Sequence, residues 1–176
     1  MPKKLVGALL AAAVLLAGCG GAGSEEGAPG DAPESSAGVP GPFFGECGSV
    51  TDDEVATVFG VPGFGTVVRN SVGCEWQLSA QDGQSSPHVS FSWYRGSPIG
   101  RERAGSELIG RPATDIEIGS NPGFVASLSS RLCELGVQFG DDFVHWSIAY
   151  ADATPTADPC RVARQLAELT VERARR

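Results

Sequence analysis

The chain has 176 residues, of which 13 are Lys or Arg and 21 are Asp or Glu, giving a formal net charge of −8 at pH 7. This length suits one domain of modest size and excludes a two-domain enzyme. Both lysines lie within the first four residues, so the rest of the chain carries 11 arginines against 21 acids. Because any basic patch would have acidic neighbours, we expect neither nucleic acid nor anionic lipid headgroups as partners.

The first residues have the layout of an export signal. Lys4 ends a short basic start, and residues 5–17 form an uncharged run rich in Leu, Ala and Val. This run is shorter than the ~20 apolar residues of a membrane-spanning helix. It ends in the sequence LAGC at Cys19, which resembles the bacterial lipobox. The resemblance implies that residues 1–18 are a lipoprotein signal peptide, cleaved after Gly18, and that the Cys19 thiol is lipidated. The alternative is an ordinary secretory signal with an incidental cysteine.

The segment after Cys19 has the composition of a spacer. Residues 20–42 contain seven Gly, four Pro and four acids, with Val39 as the one larger apolar side chain. Such a segment cannot form a core, so we expect residues 19–42 to be a disordered tether with a span of roughly 25–30 Å. The lipid anchor at Cys19 would then hold one domain, residues 43–176, on the extracytoplasmic face of the cell membrane.

Two helices are predicted from their end signals. Thr51 and Glu54 form a capping box, and Gly60 offers a stop, so the pattern predicts a helix over 52–59. Asp158 offers an N-cap followed by proline at the first helical position, which predicts a second helix that runs to the end of the chain. A third helix is expected from about Pro98 to Ile109, although two glycines in it lower the helix propensity.

Five segments alternate between apolar and polar residues, which is typical of an antiparallel sheet with one buried face and one wet face. Their apolar members are Cys74, Trp76 and Leu78; Val89, Phe91 and Trp93; Ile116 and Ile118; Cys133, Leu135, Val137 and Phe139; and Val144, Trp146, Ile148 and Tyr150. A turn over 140–142 would join the last two strands. The predicted fold is therefore an α+β two-layer sandwich, in which two or three helices cover the apolar face of about five strands.

Four cysteines remain besides Cys19, and an even number in an exported chain indicates disulfides, with three possible connectivities. Cys74 and Cys133 lie on the apolar sides of their strands, whereas Cys47 and Cys160 lie where the first and last helices begin. Each strand cysteine can therefore meet a helix cysteine, and we favour Cys47–Cys74 with Cys133–Cys160. Each closed loop would contribute roughly 3.5 kcal/mol in the chain-entropy model. Without a C-x-x-C pair, the sequence favours neither a metal site nor a redox pair.

The order of these features resembles a known family. A lipobox, a low-complexity spacer, a cysteine before a capped helix, a Cys-x-Trp strand at Cys74, a strand with a third cysteine, and Asp-Pro-Cys at Cys160 follow one another. This arrangement is similar to the actinobacterial lipoproteins of domain of unknown function 3558, over about residues 43–176. The resemblance implies an extracytoplasmic location at the cell surface, and it supplies no catalytic residues.

The sequence contains none of the common hydrolase, metalloprotease, P-loop or dinucleotide motifs, so we predict no cofactor and no enzymatic activity. Asp141, Asp142 and His145 could supply a base and its orienting acid, but we interpret them as a hairpin turn with a surface histidine. The leading hypothesis is a surface lipoprotein that binds an unidentified ligand or envelope partner. The alternatives are a small cell-wall hydrolase and an accessory or sensor module of a membrane complex.

A ligand would contact the wet face of the predicted sheet. Its residues are uncharged or short more often than solubility requires, and both histidines of the chain belong to it. The residues on this face are Glu75, Gln77, Ser79, His88, Ser90, Ser92, Glu134, Gln138, His145 and Ser147, and the candidate binding surface centres on His88, Ser90, Ser92, His145 and Ser147. A ligand that carries hydroxyl or amine donors would suit it. The alternative is that the outside of an antiparallel sheet is simply polar.

Overall fold

A computed structural model of the protein describes residues 38–79 and 85–174. The predicted signal peptide, Cys19 and most of the predicted tether lie outside these residues. Among the residues described, no helix has both the length and the apolar character needed to cross a bilayer. A 3₁₀ turn (Glu46–Ser49) comes first, followed by α1 (Asp52–Phe59), β1 (Thr66–Asn70), β2 (Gly73–Gln77), β3 (His88–Tyr94), α2 (Ile99–Leu108), β4 (Ala113–Ile118), β5 (Asn121–Ser129), β6 (Leu132–Phe139), β7 (Asp142–Ala149) and α3 (Pro159–Ala174).

The strands form one antiparallel sheet in the order β1-β2-β3-β7-β6-β5-β4. Within the described residues it has seven strands where the sequence predicted about five, and β1 and β5 are the additional ones. β1 is an edge strand that is mostly exposed, so it lacks one-sided alternation. In β5, Phe124 and Val125 direct apolar side chains toward opposite faces, so the pattern of a half-buried strand is missing there too.

One face of the sheet packs against α1 and α3, as predicted. Trp76 and Trp146 stack there with ring centroids 5.9 Å apart, and the ring of Phe91 lies 5.0 Å from that of Trp146. Val162 and Leu166 of α3 are fully buried in the same core. The apolar side of the alternating strands is therefore the main core of the domain.

The ends of α1 confirm the predicted capping box. The Thr51 hydroxyl accepts the N–H of Glu54 at 3.3 Å, and the Glu54 carboxylate accepts the N–H of Thr51 at 2.9 Å. Gly60 ends the helix in the left-handed region, with φ 86°. Arg173 of α3 donates to the Glu54 carboxylate at 2.8 Å, and this contact, followed by the Thr51 amide, lowers the pKa of Glu54 to about 2. The two helices are thereby joined to each other as well as to the sheet.

Two disulfides join the helical layer to the sheet. Cys47, in the 3₁₀ turn, is bonded to Cys74 on β2, and Cys133 on β6 is bonded to Cys160 in the first turn of α3. The Cα atoms of the two pairs are 5.3 and 5.1 Å apart. This is the pairing that the sequence favoured, because both strand cysteines face the layer that contains α1 and α3.

The position of α2 corrects the predicted two-layer architecture. α2 packs against β4, β5 and β6 on the face opposite to α1 and α3. The Ser106 hydroxyl donates to the Glu134 carboxylate at 2.8 Å, and the N–H of Ile99 donates to the Gln138 side chain at 3.3 Å. Glu134 and Gln138 alternate along β6 with the residues that face α3. The sheet therefore has helices on both faces over β4 to β6 and on one face elsewhere.

The chain reaches the sheet at the turn between β6 and β7. The carbonyl of Val39 accepts the N–H of Asp141 at 2.9 Å, and the N–H of Gly41 donates to the Asp142 carboxylate at 3.1 Å. Residues 38–42, assigned to the tether from composition, thus contact the domain. Asp142 pairs with Phe139 as the first residue of β7, so the turn is shorter than the three residues predicted. The β1–β2 and β4–β5 turns lie at the same end of the sheet, which we call the tether end.

Candidate functional site

The predicted surface residues share one face of the sheet, but only part of that face is open. Ser90 lies opposite Glu75 on β2 and opposite Ser147 on β7, and Ser92 lies opposite His145. α2 covers the half of this face toward β4. The uncovered half, here called the open polar patch, consists of the partly exposed residues Glu75, Gln77, His88, Ser90, Ser92 and Ser147.

Contacts within the open polar patch leave it rich in hydrogen-bonding groups. The Gln77 amide donates to the Glu75 carboxylate at 2.7 Å, and Nδ1 of His88 lies 3.0 Å from the carbonyl of Ser86. Together with the serine hydroxyls, the patch offers an imidazole, an amide and a carboxylate on adjacent strands. These groups suit a ligand that carries hydroxyls or amines.

His145 is not the surface residue that the sequence predicted, because it is buried on the face of the sheet that α2 partly covers. Only 6% of the residue is exposed, its ring lies 6.5 Å from that of Tyr94 and 6.3 Å from that of Phe124, and its Nε2 has no partner among the described residues. Burial lowers the pKa of His145, and Arg111 adds to this, whereas Glu102 and Glu134 oppose it. The surroundings of His145 therefore disfavour the charged form of its imidazole.

Glu134 is also covered, and its carboxylate binds α2 and the segment that follows it. The Ser106 hydroxyl donates to one oxygen at 2.8 Å, and the Arg111 guanidinium forms an ion pair with the other. The side chain of Glu134 is only 12% exposed. The wet face predicted from β6 is thus replaced by a contact between helix and sheet.

The predicted turn acids do not form a catalytic pair with His145. One Asp142 oxygen accepts the N–H of Gly41 at 3.1 Å, and the other accepts the N–H of Gly96 at 2.9 Å. Asp142 and His145 are an odd number of residues apart on β7, so their side chains point to opposite faces. In the described part of the chain, no group of three or more His, Cys, Asp or Glu residues is placed to hold a metal ion.

A cleft at the tether end was not predicted. It has a volume of about 360 Å³ and runs between the 3₁₀ turn, the β1–β2 turn and the end of β3. Its walls include Phe43, Arg69, Val72, Trp93 and Arg95. We call it the Trp93 cleft, because Trp93 is 8% exposed and its indole Nε1 has no hydrogen-bond partner among the described residues.

Aromatic and cationic groups surround Trp93. The guanidinium carbon of Arg95 lies 3.9 Å from the centroid of the Trp93 ring. Phe43 and Phe44 contact that ring edge-on, with centroids 5.7 and 5.3 Å away. Arg69 is engaged differently, since it forms ion pairs with Asp52 and Glu46. The two arginines of the cleft therefore differ in how far their charges are neutralised.

The backbone beside the Trp93 cleft is unusual and is held by the first disulfide. Cys47 and Ser49 have positive φ values of 52° and 58°, a conformation that non-glycine residues rarely adopt. The bond to Cys74 fixes this turn against β2. Across the cleft, the Asn70 side chain accepts the N–H of Val72 at 2.9 Å and shapes the β1–β2 turn. No local motif marks these separate stretches as one site, which is why the sequence did not reveal it.

Comparisons with known proteins support the family resemblance that the sequence showed. The family described as Protein of unknown function (DUF3558) matches residues 14–173. The chain is 42% identical over 175 residues to a Mycobacterium bovis protein named "Putative lipoprotein LprB", covering 94% of this chain and 92% of that protein. Proteins of the same name from Mycobacterium tuberculosis and Mycobacterium leprae are also 42% identical, over 175 and 164 residues. No solved structure matches the chain significantly.

Proposed function

The chain belongs to this family of unknown function, and from that premise we propose that it is a lipoprotein that acts by binding, held through Cys19 on the extracytoplasmic face of the cell membrane. The LAGC sequence at Cys19 carries the proposal, because it places a cysteine where a lipoprotein signal peptidase would cut. The name of the relatives supports an anchored protein. The two disulfides fit an oxidising compartment outside the cytoplasm.

Replacing Cys19→Ala tests the anchor. The full-length protein made in an actinobacterial host is expected in the detergent phase after Triton X-114 partitioning, because two or more acyl chains give stable membrane attachment. The variant is expected as a soluble or unprocessed form, whereas Gly21→Ala, which keeps the cysteine, should partition like the original. Unchanged detergent partitioning by a Cys19→Ala chain from which residues 1–18 have been removed would contradict the proposed anchor.

Binding rather than catalysis is supported by how the reactive side chains are used. Glu134 and Asp142 accept hydrogen bonds from groups of the fold, the described cysteines are paired in disulfides, and His145 is buried. A general acid or base needs access to a substrate and a second group that orients it. These residues serve the fold, which favours a role for the surfaces that remain open.

The open polar patch is the first such surface. We expect glucosamine oligomers, which carry both hydroxyls and amines, to shift the imidazole NMR signals of His88 but not those of the buried His145. His88→Ala should weaken the binding several-fold, because it removes a hydrogen-bonding group from the patch. Shifts that appear only in the helices, or normal binding by the variant, would exclude this patch as the site.

A further inference from the structure

We propose that the Trp93 cleft is a second binding site, specific for a monoanionic amphiphile: one carboxylate attached to an apolar chain. A neighbouring depression of about 450 Å³ shares Ser71, Val72, Trp93 and Arg95 with the cleft and also contains Ser92 and Tyr94. The two hollows therefore meet at Trp93 and Arg95, on the two sides of the end of β3. This continuity suits an elongated ligand better than a compact one.

The charges of the lining favour a single negative group. Arg69 is already paired with Asp52 and Glu46, which neutralise it and would repel a second anion. Arg95 has no carboxylate partner among the described residues, and its guanidinium lies over the Trp93 ring. A guanidinium held in this way can still donate from its edge to a carboxylate. The position of Arg95 therefore identifies where the charged end of the ligand would bind.

The buried indole of Trp93 supplies a second, independent reason. A buried N–H without an acceptor is unfavourable, and native proteins rarely leave one unpaired. Trp93 lines both hollows, so a carboxylate beside Arg95 would bring oxygen acceptors to the same residue. The nitrogen itself is buried, so the ligand would satisfy this donor through a small movement of the indole toward the cleft.

The apolar wall of the cleft accounts for the chain of the ligand. Phe43 is 74% exposed and Val72 is 55% exposed, and both line the cleft. Phe91 also lines it, from the sheet side. Covering the exposed apolar surface would be favourable, since the gain scales with the area removed from water. A carboxylate without an apolar chain would lose this part of the binding.

Calorimetric titration with decanoate tests the site. The soluble fraction of the Cys19→Ala chain is the sample, because it carries no acyl groups that could compete. Decanoate, kept below its micelle concentration, should bind at one site. Acetate should show no measurable binding, and 1-decanol should bind about tenfold more weakly, since it lacks the charge. The proposal would be overturned if decanoate bound no more tightly than acetate or no more tightly than 1-decanol.

Matched variants separate the contributions of the lining. Arg95→Gln should weaken the binding of decanoate by about tenfold and leave the binding of 1-decanol unchanged. Phe43→Ser should weaken the binding of both ligands. Trp93→Phe, which keeps a ring in the core, should weaken the binding of decanoate alone. Arg101→Gln, at an exposed position on α2 outside the cleft, is the control and should bind normally. Normal decanoate binding by Arg95→Gln would overturn the assignment, whatever the result for the anchor or for the open polar patch.

Discussion

His145 is the residue whose surroundings fit its chemistry least. It pairs across the sheet with Ser92 and Gly136, lies within 6.5 Å of the rings of Tyr94 and Phe124, and leaves Nε2 without a partner among the described residues. A buried polar atom of this kind costs about 1–3 kcal/mol relative to an apolar replacement of the same shape. The ring of phenylalanine would fill similar space without that cost.

We therefore expect His145→Phe to stabilise the domain by about 1 kcal/mol in urea denaturation near neutral pH. His88→Phe, at a partly exposed position in the open polar patch, should bring no such gain. A clear loss of stability in His145→Phe would show that the imidazole makes a favourable interaction that the described contacts do not include.

The same variant should change the dependence of stability on pH. The pKa of His145 is lowered by burial, with Glu102 and Glu134 opposing the effect, Arg111 adding to it and Tyr94 packed beside the ring. The unfolded chain therefore binds a proton below about pH 6.5 while the folded chain resists it, so stability is present above that pH and is lost as the pH falls. The drop in unfolding free energy between about pH 7.5 and about pH 5.5 should be smaller in His145→Phe. If the unfolding free energy fell equally in the two proteins, His145 would not be a source of the pH dependence.

Among the elements, α2 is attached differently from α1 and α3. Ser106 is its one buried residue, whereas Leu108 and Ile109 at its end are 87% and 60% exposed. Polar contacts to Glu134, Asp115 and Gln138 hold it on the sheet. A helix attached mainly by polar groups should open at lower free energy than one that buries an apolar stripe.

Glu134→Gln tests this attachment. Loss of the charge should leave Arg111 unpaired, lower stability by about 1–3 kcal/mol and speed amide hydrogen exchange in α2 by about tenfold or more. Exchange in α3 should change much less. Glu107→Gln removes only an exposed ion pair to Arg103 on the same helix and should change stability by less than about 0.5 kcal/mol. Equal exchange in the Glu134 variant and the original protein would contradict a polar attachment.

The elements also show where sequence patterns succeed and where they stop. α1 and α3 could be predicted because Thr51 and Asp158 cap helices that bury apolar residues on one side. α2 could be predicted as a helix, but its side of the sheet could not, since no apolar stripe indicates which face it covers. β5 was missed because apolar residues on both of its sides remove the alternation. The burial of His145 could not be predicted for the same reason, because Phe124 of the missed strand β5 lies near its ring.

At the scale of the whole molecule, the disulfides and the Trp93 cleft differ in how far they could be predicted. Each disulfide joins a cysteine on the apolar side of a strand to a cysteine near the start of a helix. The alternation of the strands was therefore enough to favour one of the three possible pairings. The cleft is formed by Phe43, the turn after Arg69 and the end of β3 at Trp93 and Arg95, which are separate along the chain. Only the order of the strands brings them together. Its volume and its unpartnered indole are consequences of packing that no local pattern contains.

The first disulfide also determines how a pull on the proposed anchor would travel through the domain. Tension that arrives at Gly38 could peel away the hydrogen bonds at Val39 and Gly41, but at Cys47 it would meet a covalent link to β2. From there it would pass directly into β2, and α1 and β1, which lie between the bonded cysteines in sequence, would be mechanically bypassed. The segment before Cys47, held by these hydrogen bonds and by the buried ring of Phe44, would therefore yield before the sheet and its helices do.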